Sequence, residues 1–143
     1  MAETSSPRIA VIGTGAVGTA IAQRLLNMRL EVVVWNRTRS RTAPLVEAGA
    51  RVASTVDEAV STSRLALLTL KDYAGVEGCL DQLTPALTGR TVIVMCTGTA
   101  ADARRAADHV SRLGAEYLDA GVQAPPELIG TEAATLLYSG SME

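Results

Sequence analysis

At 143 residues the chain is long enough for one domain and too short for two ordinary ones. Apolar residues make up 48% of it, charged residues 20%, and the net charge is −2, so a core can be buried and nothing points to a nucleic-acid surface. A single Trp and no Phe argue against a stacking platform for single strands. No run approaches the roughly 18 apolar residues of a membrane span. The opening MAETSSP is polar and lacks the apolar centre of a secretory leader. A cytoplasmic, soluble protein is therefore expected, with residues 1–7 disordered and a single domain over 8–143.

Apolar β-branched runs alternate with helical spacing along the chain. RIAVI (8–12) reads as a buried strand, 16–28 as a helix and LEVVVW (30–35) as a second strand. Residues 40–48 have helical spacing, with Pro44 tolerated in the first turn and Gly49 ending the helix. ARVA (50–53) is a short strand, followed by a helix over 54–61 capped by Ser54 or Thr55. RLALLTL (64–70) predicts a strand, and Asp72 caps a helix reaching about Leu83. RTVIVMC (90–96) is a further buried strand, and 99–114 a helix opened by Thr99 or Asp102 and closed by Gly114. AEYLDA (115–120) is a strand, 121–131 a loop with a Pro-Pro corner, and 133–140 a last strand.

Strands apolar on both faces and separated by helices imply a doubly wound, mostly parallel α/β sheet of the Rossmann type. The last strand follows through a loop too short for a full crossover helix, so it is expected to run antiparallel. Cys79 and Cys96 have no metal spacing and read as small buried residues of a reduced protein. His109 is the only histidine, so no His-rich metal site is expected, and its helical surroundings suit a solvent-facing or helix-end position.

GTGAVG (13–18) matches G-x-G-x-x-G, a weak signal alone. It gains weight by following a strand directly and opening a helix. Gly13 permits the tight turn, Gly15 lets backbone approach a pyrophosphate, and Gly18 lets helix and strand pack closely. The free N–H groups of the helix start would then bind the phosphates, and Gly13, Thr14, Gly15, Ala16, Val17 and Gly18 are expected to bind the cofactor. An NAD site calls for a carboxylate about 20 residues further on, to hold the ribose 2′-hydroxyl. Here Asn36 stands at that place, followed by RTRSR. Arg37 and Arg41 offer forked donors to a 2′-phosphate, while Asn36 and the Thr38 hydroxyl bond without repelling it. This pattern selects NADP(H) over NAD.

Together, VIGTGAVG, VVVWNRTRSR, TLKDYAGV, CTGTAADAR and YLDAGVQAPPELIGTEAATLLYSGS resemble the N-terminal half of the NADPH-dependent imine reductases. That family is related to the β-hydroxyacid dehydrogenases and 6-phosphogluconate dehydrogenase. The resemblance runs from Arg8 to Ser141. It implies that Asn36, Arg37, Thr38 and Arg41 hold the adenosine ribose phosphate. Leu70, Lys71, Asp72 and Tyr73 would then lie along the cofactor, with Thr97 near the nicotinamide ribose. The DAGVQAPP loop (119–126), including Gln123, would pass the nicotinamide face.

The β-hydroxyacid dehydrogenases carry a DAPVSGG-like stretch there, whose serine and glycine N–H groups bind a substrate carboxylate. Here the serine is missing, and two prolines cannot donate, which favours a neutral or cationic imine. Gln123, Cys96 and Ala100 depart from the usual family residues. The resemblance also implies a helical C-terminal domain, absent from this chain, that forms a homodimer and supplies the proton donor. No catalytic residue is thus assigned, and this chain alone is expected to be inactive. Tyr73, Tyr117 and Tyr138 read better as packing residues than as acids. Two other readings stand beside this one: the cofactor domain of a β-hydroxyacid dehydrogenase, and a non-catalytic NADP-binding module.

Overall fold

The apolar runs become the strands of one sheet. A computed structural model describes residues 7–123, 126–130 and 135–140. In chain order the elements are β1 (Arg8–Ile12), α1 (Ala16–Asn27), β2 (Glu31–Trp35), a 3-10 turn (Arg39–Thr42), α2 (Ala43–Glu47), β3 (Arg51–Val52) and α3 (Val56–Ser61). There follow β4 (Leu65–Leu68), α4 (Tyr73–Leu80), β5 (Thr91–Val94), α5 (Ala100–Arg112), β6 (Glu116–Gln123), a 3-10 turn (Pro126–Leu128) and β7 (Thr135–Gly140).

The sheet order is β3-β2-β1-β4-β5-β6-β7. Neighbours from β3 to β6 pair in parallel, and β6 and β7 pair antiparallel, from Leu118 opposite Gly140 to Gln123 opposite Thr135. The chain reverses direction in sheet order on passing from β3 to β4, so the crevice between β1 and β4 is the switch point where ligands of such sheets bind.

Period-2 alternation divides the strand side chains between two layers. Val11, Val32, Val34 and Leu67 join Ala22 of α1 and Leu45 of α2 on one face. Ala10, Ile12, Leu68, Val92 and Val94 join Val76 and Leu80 of α4 and Ala106 and Val110 of α5 on the other. Each fully buried Val or Leu contributes about 1.5–3 kcal/mol relative to exposure. The two layers hold the sheet's carboxyl edge rigid beneath the site.

Local chemistry places the helix starts. Thr55 accepts from the Glu58 N–H, Asp72 from the Gly75 N–H, and Thr99 and Asp102 form a reciprocal capping box. Gly49 and Gly114 follow helix ends at φ of 111° and 90°, where a Cβ would be strained.

Several boundaries differ from expectation: the strands expected over 64–70 and 90–96 are shorter, at Leu65–Leu68 and Thr91–Val94, and the helix expected over 54–61 starts at Val56. The helix expected over 40–48 begins as a 3-10 turn, because Pro44 sits in the first turn of α2 and cannot donate to a preceding turn. The strand expected over 50–53 pairs only at Arg51 and Val52. The helix expected to reach Leu83 ends at Leu80. The loop expected from Gly121 is strand to Gln123, because β7 supplies its hydrogen-bond partners. Residues 1–6, 124–125, 131–134 and 141–143 lie outside the described ones, as do the side chains of Gln123 and Tyr138. Among the described residues, no helix is long and apolar enough to cross a membrane.

Candidate functional site

The turn between β1 and α1 is held from both sides. The Gly13 N–H donates to the Trp35 carbonyl of β2 at 2.8 Å. From the β4 side, the Thr69 hydroxyl donates to the Gly13 carbonyl at 2.7 Å. Gly13 has φ +97°, and a Cβ there would stand 2.7 Å from the Thr69 carbonyl oxygen. At Gly18 a Cβ would collide with the Gly13 carbonyl and the Thr69 hydroxyl, so α1 lies directly on the turn. Gly15 is different: a Cβ there would meet nothing within 4 Å. Its openness fits a ligand that comes up to the backbone.

Gly15 is also the N-cap of α1, with no side-chain cap and no acidic residue in the first turn. The first N–H groups of α1 are therefore left for an anion. Gly15 and Ala16 are exposed, Val17 is half-buried, and Thr14 is 4% exposed.

Thr14 ties this turn to the loop after β2. Its N–H donates to Asn36 Oδ1 at 2.9 Å, and its hydroxyl donates to the Arg41 carbonyl at 3.3 Å. The Asn36 amide in turn donates to the Thr38 carbonyl at 2.9 Å. Asn36 thus fixes the loop at both ends of its side chain, and an aspartate could accept from Thr14 but not donate to Thr38. Sequence reasoning directed Asn36 at a ligand. In the structure its bonds shape the chain itself.

Arg37, Thr38, Arg39 and Arg41 are all exposed on this loop. Among the described residues, none of the three guanidinium groups has an ion-pair or hydrogen-bond partner. Arg37 and Arg39 line a cavity of about 190 Å³ with Trp35, Asn36, Thr42 and Ser54, and Arg41 is not in its wall. Arg39 is a site candidate that the spacing argument passed over. The 3-10 turn that brings it there is a consequence of Pro44, which offered a signal in retrospect.

The other half of the carboxyl edge carries Leu70 (half-buried), Lys71 (exposed) and Thr97 (exposed). Gln123 closes β6 through its backbone alone, as far as the described residues go. Beneath them, the Tyr73 hydroxyl donates to Asp119 Oδ1 at 2.8 Å and lies 3.3 Å from the Tyr117 hydroxyl. Burial first, then the bonds to Tyr117 and Asp119, pushes Tyr73 far above the ordinary tyrosine range. Burial and the Asp119 charge push Tyr117 up to about 12. Cys96 is pushed up to about 11 by burial and by Asp119, Asp72 and Asp102, so it is a thiol at neutral pH rather than a nucleophile. Among the described residues, no three His, Cys, Asp or Glu side chains converge as metal ligands.

Residues 8–143 match the family of the NAD binding domain of 6-phosphogluconate dehydrogenase. The chain belongs to that family. It is 40% identical over 135 residues to an NADPH-dependent reductive aminase of Aspergillus oryzae, covering 94% of this chain and 46% of the relative. A reductive aminase from Aspergillus terreus, in complex with NADPH and ethyl levulinate, superposes with a TM-score of 0.92 at 40% identity. That match covers 96% of this chain and 48% of the other. An imine reductase from Myxococcus stipitatus in complex with NADP+ gives 0.90 at 35% identity, over 95% of this chain and 48% of its own. The chain thus spans about half the length of these relatives. The open backbone at Gly15 and the uncapped α1 fit the pyrophosphate of the dinucleotide that gives the family its description.

Asn36→Ala removes the acceptor of the buried Thr14 N–H. It is expected to cost about 1–3 kcal/mol in urea unfolding, with faster hydrogen exchange at the Thr14 amide. The tyrosine pair predicts an alkaline effect. An unfolded chain releases the Tyr73 proton near its ordinary value of 10.0, whereas the folded chain keeps it. Stability is therefore full below about pH 10 and falls as pH rises beyond it. Tyr73→Phe is expected to flatten that fall, as read by urea unfolding across a pH series.

Proposed function

We propose that this chain is the NADP(H)-binding half of an oxidoreductase that reduces the C=N bond of imines and iminium ions to amines. The observation that carries the cofactor reading is the pair of Thr14 bonds, which brings the arginine loop alongside the glycine turn. A phosphate-binding helix start and a run of uncommitted guanidinium groups then lie on one continuous edge. That is the charge pattern of a dinucleotide with an additional 2′-phosphate. The substrate reading is supported by the 40% identity to a reductive aminase and by the missing serine and the two non-donating prolines of DAGVQAPP.

In this reading Gly15, Ala16 and Val17 hold the pyrophosphate at the start of α1, and Gly13, Thr14 and Gly18 shape the turn that presents them, the Gly13 and Thr14 N–H groups being spent on Trp35 and Asn36. Arg37, Thr38 and Arg41, joined by Arg39, hold the 2′-phosphate, with Asn36 shaping their loop. Leu70, Lys71, Thr97 and Gln123 flank the nicotinamide half. When bound, NADPH supplies hydride, and the protein supplies orientation and charge complementarity. The proton for the amine nitrogen is assigned to a group outside these 143 residues, in a helical domain that also forms a homodimer. A cytoplasmic setting completes the proposal.

Arg37→Ala with Arg41→Ala should weaken NADPH binding by tenfold or more, since each charge-assisted bond contributes roughly 1.5–3 kcal/mol. NADH binding should hardly change, and equal losses for both in a calorimetric titration would contradict the assignment. For the reaction, NADPH consumption with a cyclic imine is expected from the protein carrying the further domain and not from the 143-residue chain. Ordinary turnover by the short chain would place the proton donor within it. NADP-dependent oxidation of 3-hydroxy acids in place of imine reduction would favour the hydroxyacid reading.

A further inference from the structure

Tyr73 is the first residue of α4, directly after the capping Asp72, and it is 6% exposed. Most of its surface is spent on the protein itself. Its ring packs under the loop between β5 and α5, where a Cβ on Gly98 would collide with the Cδ2 and Cε2 edge of the ring. Gly98 is thus a glycine because the ring occupies that space, although its φ is ordinary. At the other end, the Tyr73 hydroxyl donates to Asp119 on β6, with the Tyr117 hydroxyl 3.3 Å from it and 3.5 Å from the same carboxylate oxygen. One side chain therefore spans three segments of the carboxyl edge: the start of α4, the Thr97–Gly98 turn, and β6 just before Gly121, Val122 and Gln123.

A buried hydroxyl between a carboxylate and a second phenol is a demanding arrangement. It costs desolvation, and a phenylalanine of the same shape would fill the ring site without it. The raised ionisation of both tyrosines reflects that the hydroxyls stay protonated and available as donors to Asp119. The bonds tie the start of α4 to β6 at Asp119, and the ring they hold lies against Gly98 of the Thr97 turn.

We infer that Tyr73 is a positioning residue for the nicotinamide half of the site, acting through Gly98 on the Thr97 turn and through Asp119 on the end of β6. The inference rests on the proposed NADP(H) reading. It assigns to Tyr73 no contact with cofactor or substrate.

The test separates the two halves of the ligand. The full chain and its Tyr73→Phe variant are titrated with NADPH and with 2′,5′-ADP, which carries the 2′-phosphate but no nicotinamide. Tyr73→Phe is expected to weaken NADPH about five- to tenfold, within what one lost hydrogen bond contributes, and to leave 2′,5′-ADP within about twofold. Gly98→Ala, which displaces the ring by another route, should give the same split and covers the case in which Tyr73→Phe does not fold. Unchanged NADPH affinity, or equal losses for the two ligands, overturns the inference and leaves the NADP(H) reading standing. A wild-type chain that binds neither ligand overturns that reading and this inference with it.

Discussion

The contact on which the site depends is the approach of α1 to the end of β1. Gly18 lies so close to the Gly13 carbonyl that no side chain fits between them, and Gly13 is held by Trp35 on one side and Thr69 on the other. Three adjacent strands, β2, β1 and β4, thereby fix a single turn. Once its position is set, the first N–H groups of α1 point out of the carboxyl edge, and their partial positive charge needs no side chain to create it. A Cβ at either glycine would move the helix start, and with it every distance in the site.

From that turn the edge is built outwards by polar side chains spent on the protein itself. Thr14 and Asn36 bind the arginine loop to the glycine turn on one side, and Tyr73 and Asp119 bind α4 to β6 on the other. These bonds lie within the chain, and the exposed residues between them owe their places to them. Arg37 and Arg39 are long, solvated side chains with many rotamers. What the fold controls is the backbone from which they extend.

Much of this was legible in the residues. The alternation of RIAVI and LEVVVW with helical segments yields the sheet, and G-x-G-x-x-G after a strand yields the turn, because both follow from local periodicity and backbone sterics. Asp72 and Thr99 declare helix starts through their own hydrogen-bonding chemistry. The bonds of Asn36 to Thr14 and Thr38 leave no trace in the sequence, since nothing local tells which way an amide will spend its bonds. The Tyr73–Asp119 bond joins residues 46 positions apart, and the extension of β6 depends on pairing with β7. Neither leaves a periodic trace. Arg39 stands just ahead of the helix expected over 40–48, and its place in the cavity wall depends on the 3-10 turn that replaces the start of that helix.

The two sets of cross-links share no residue. One joins the β1 turn to the loop after β2, and the other lies at β6, four strands along the sheet order from β2, each step spanning about 4.8 Å. Energetic effects at sites so separated add rather than interfere. Descent can therefore alter one end of the edge while the other is inherited intact. A lineage could exchange the arginine loop without disturbing the tyrosine cluster. It could equally rework the β6 end for new chemistry over an unchanged anchor. The arrangement gives a small domain two traits that selection can adjust separately.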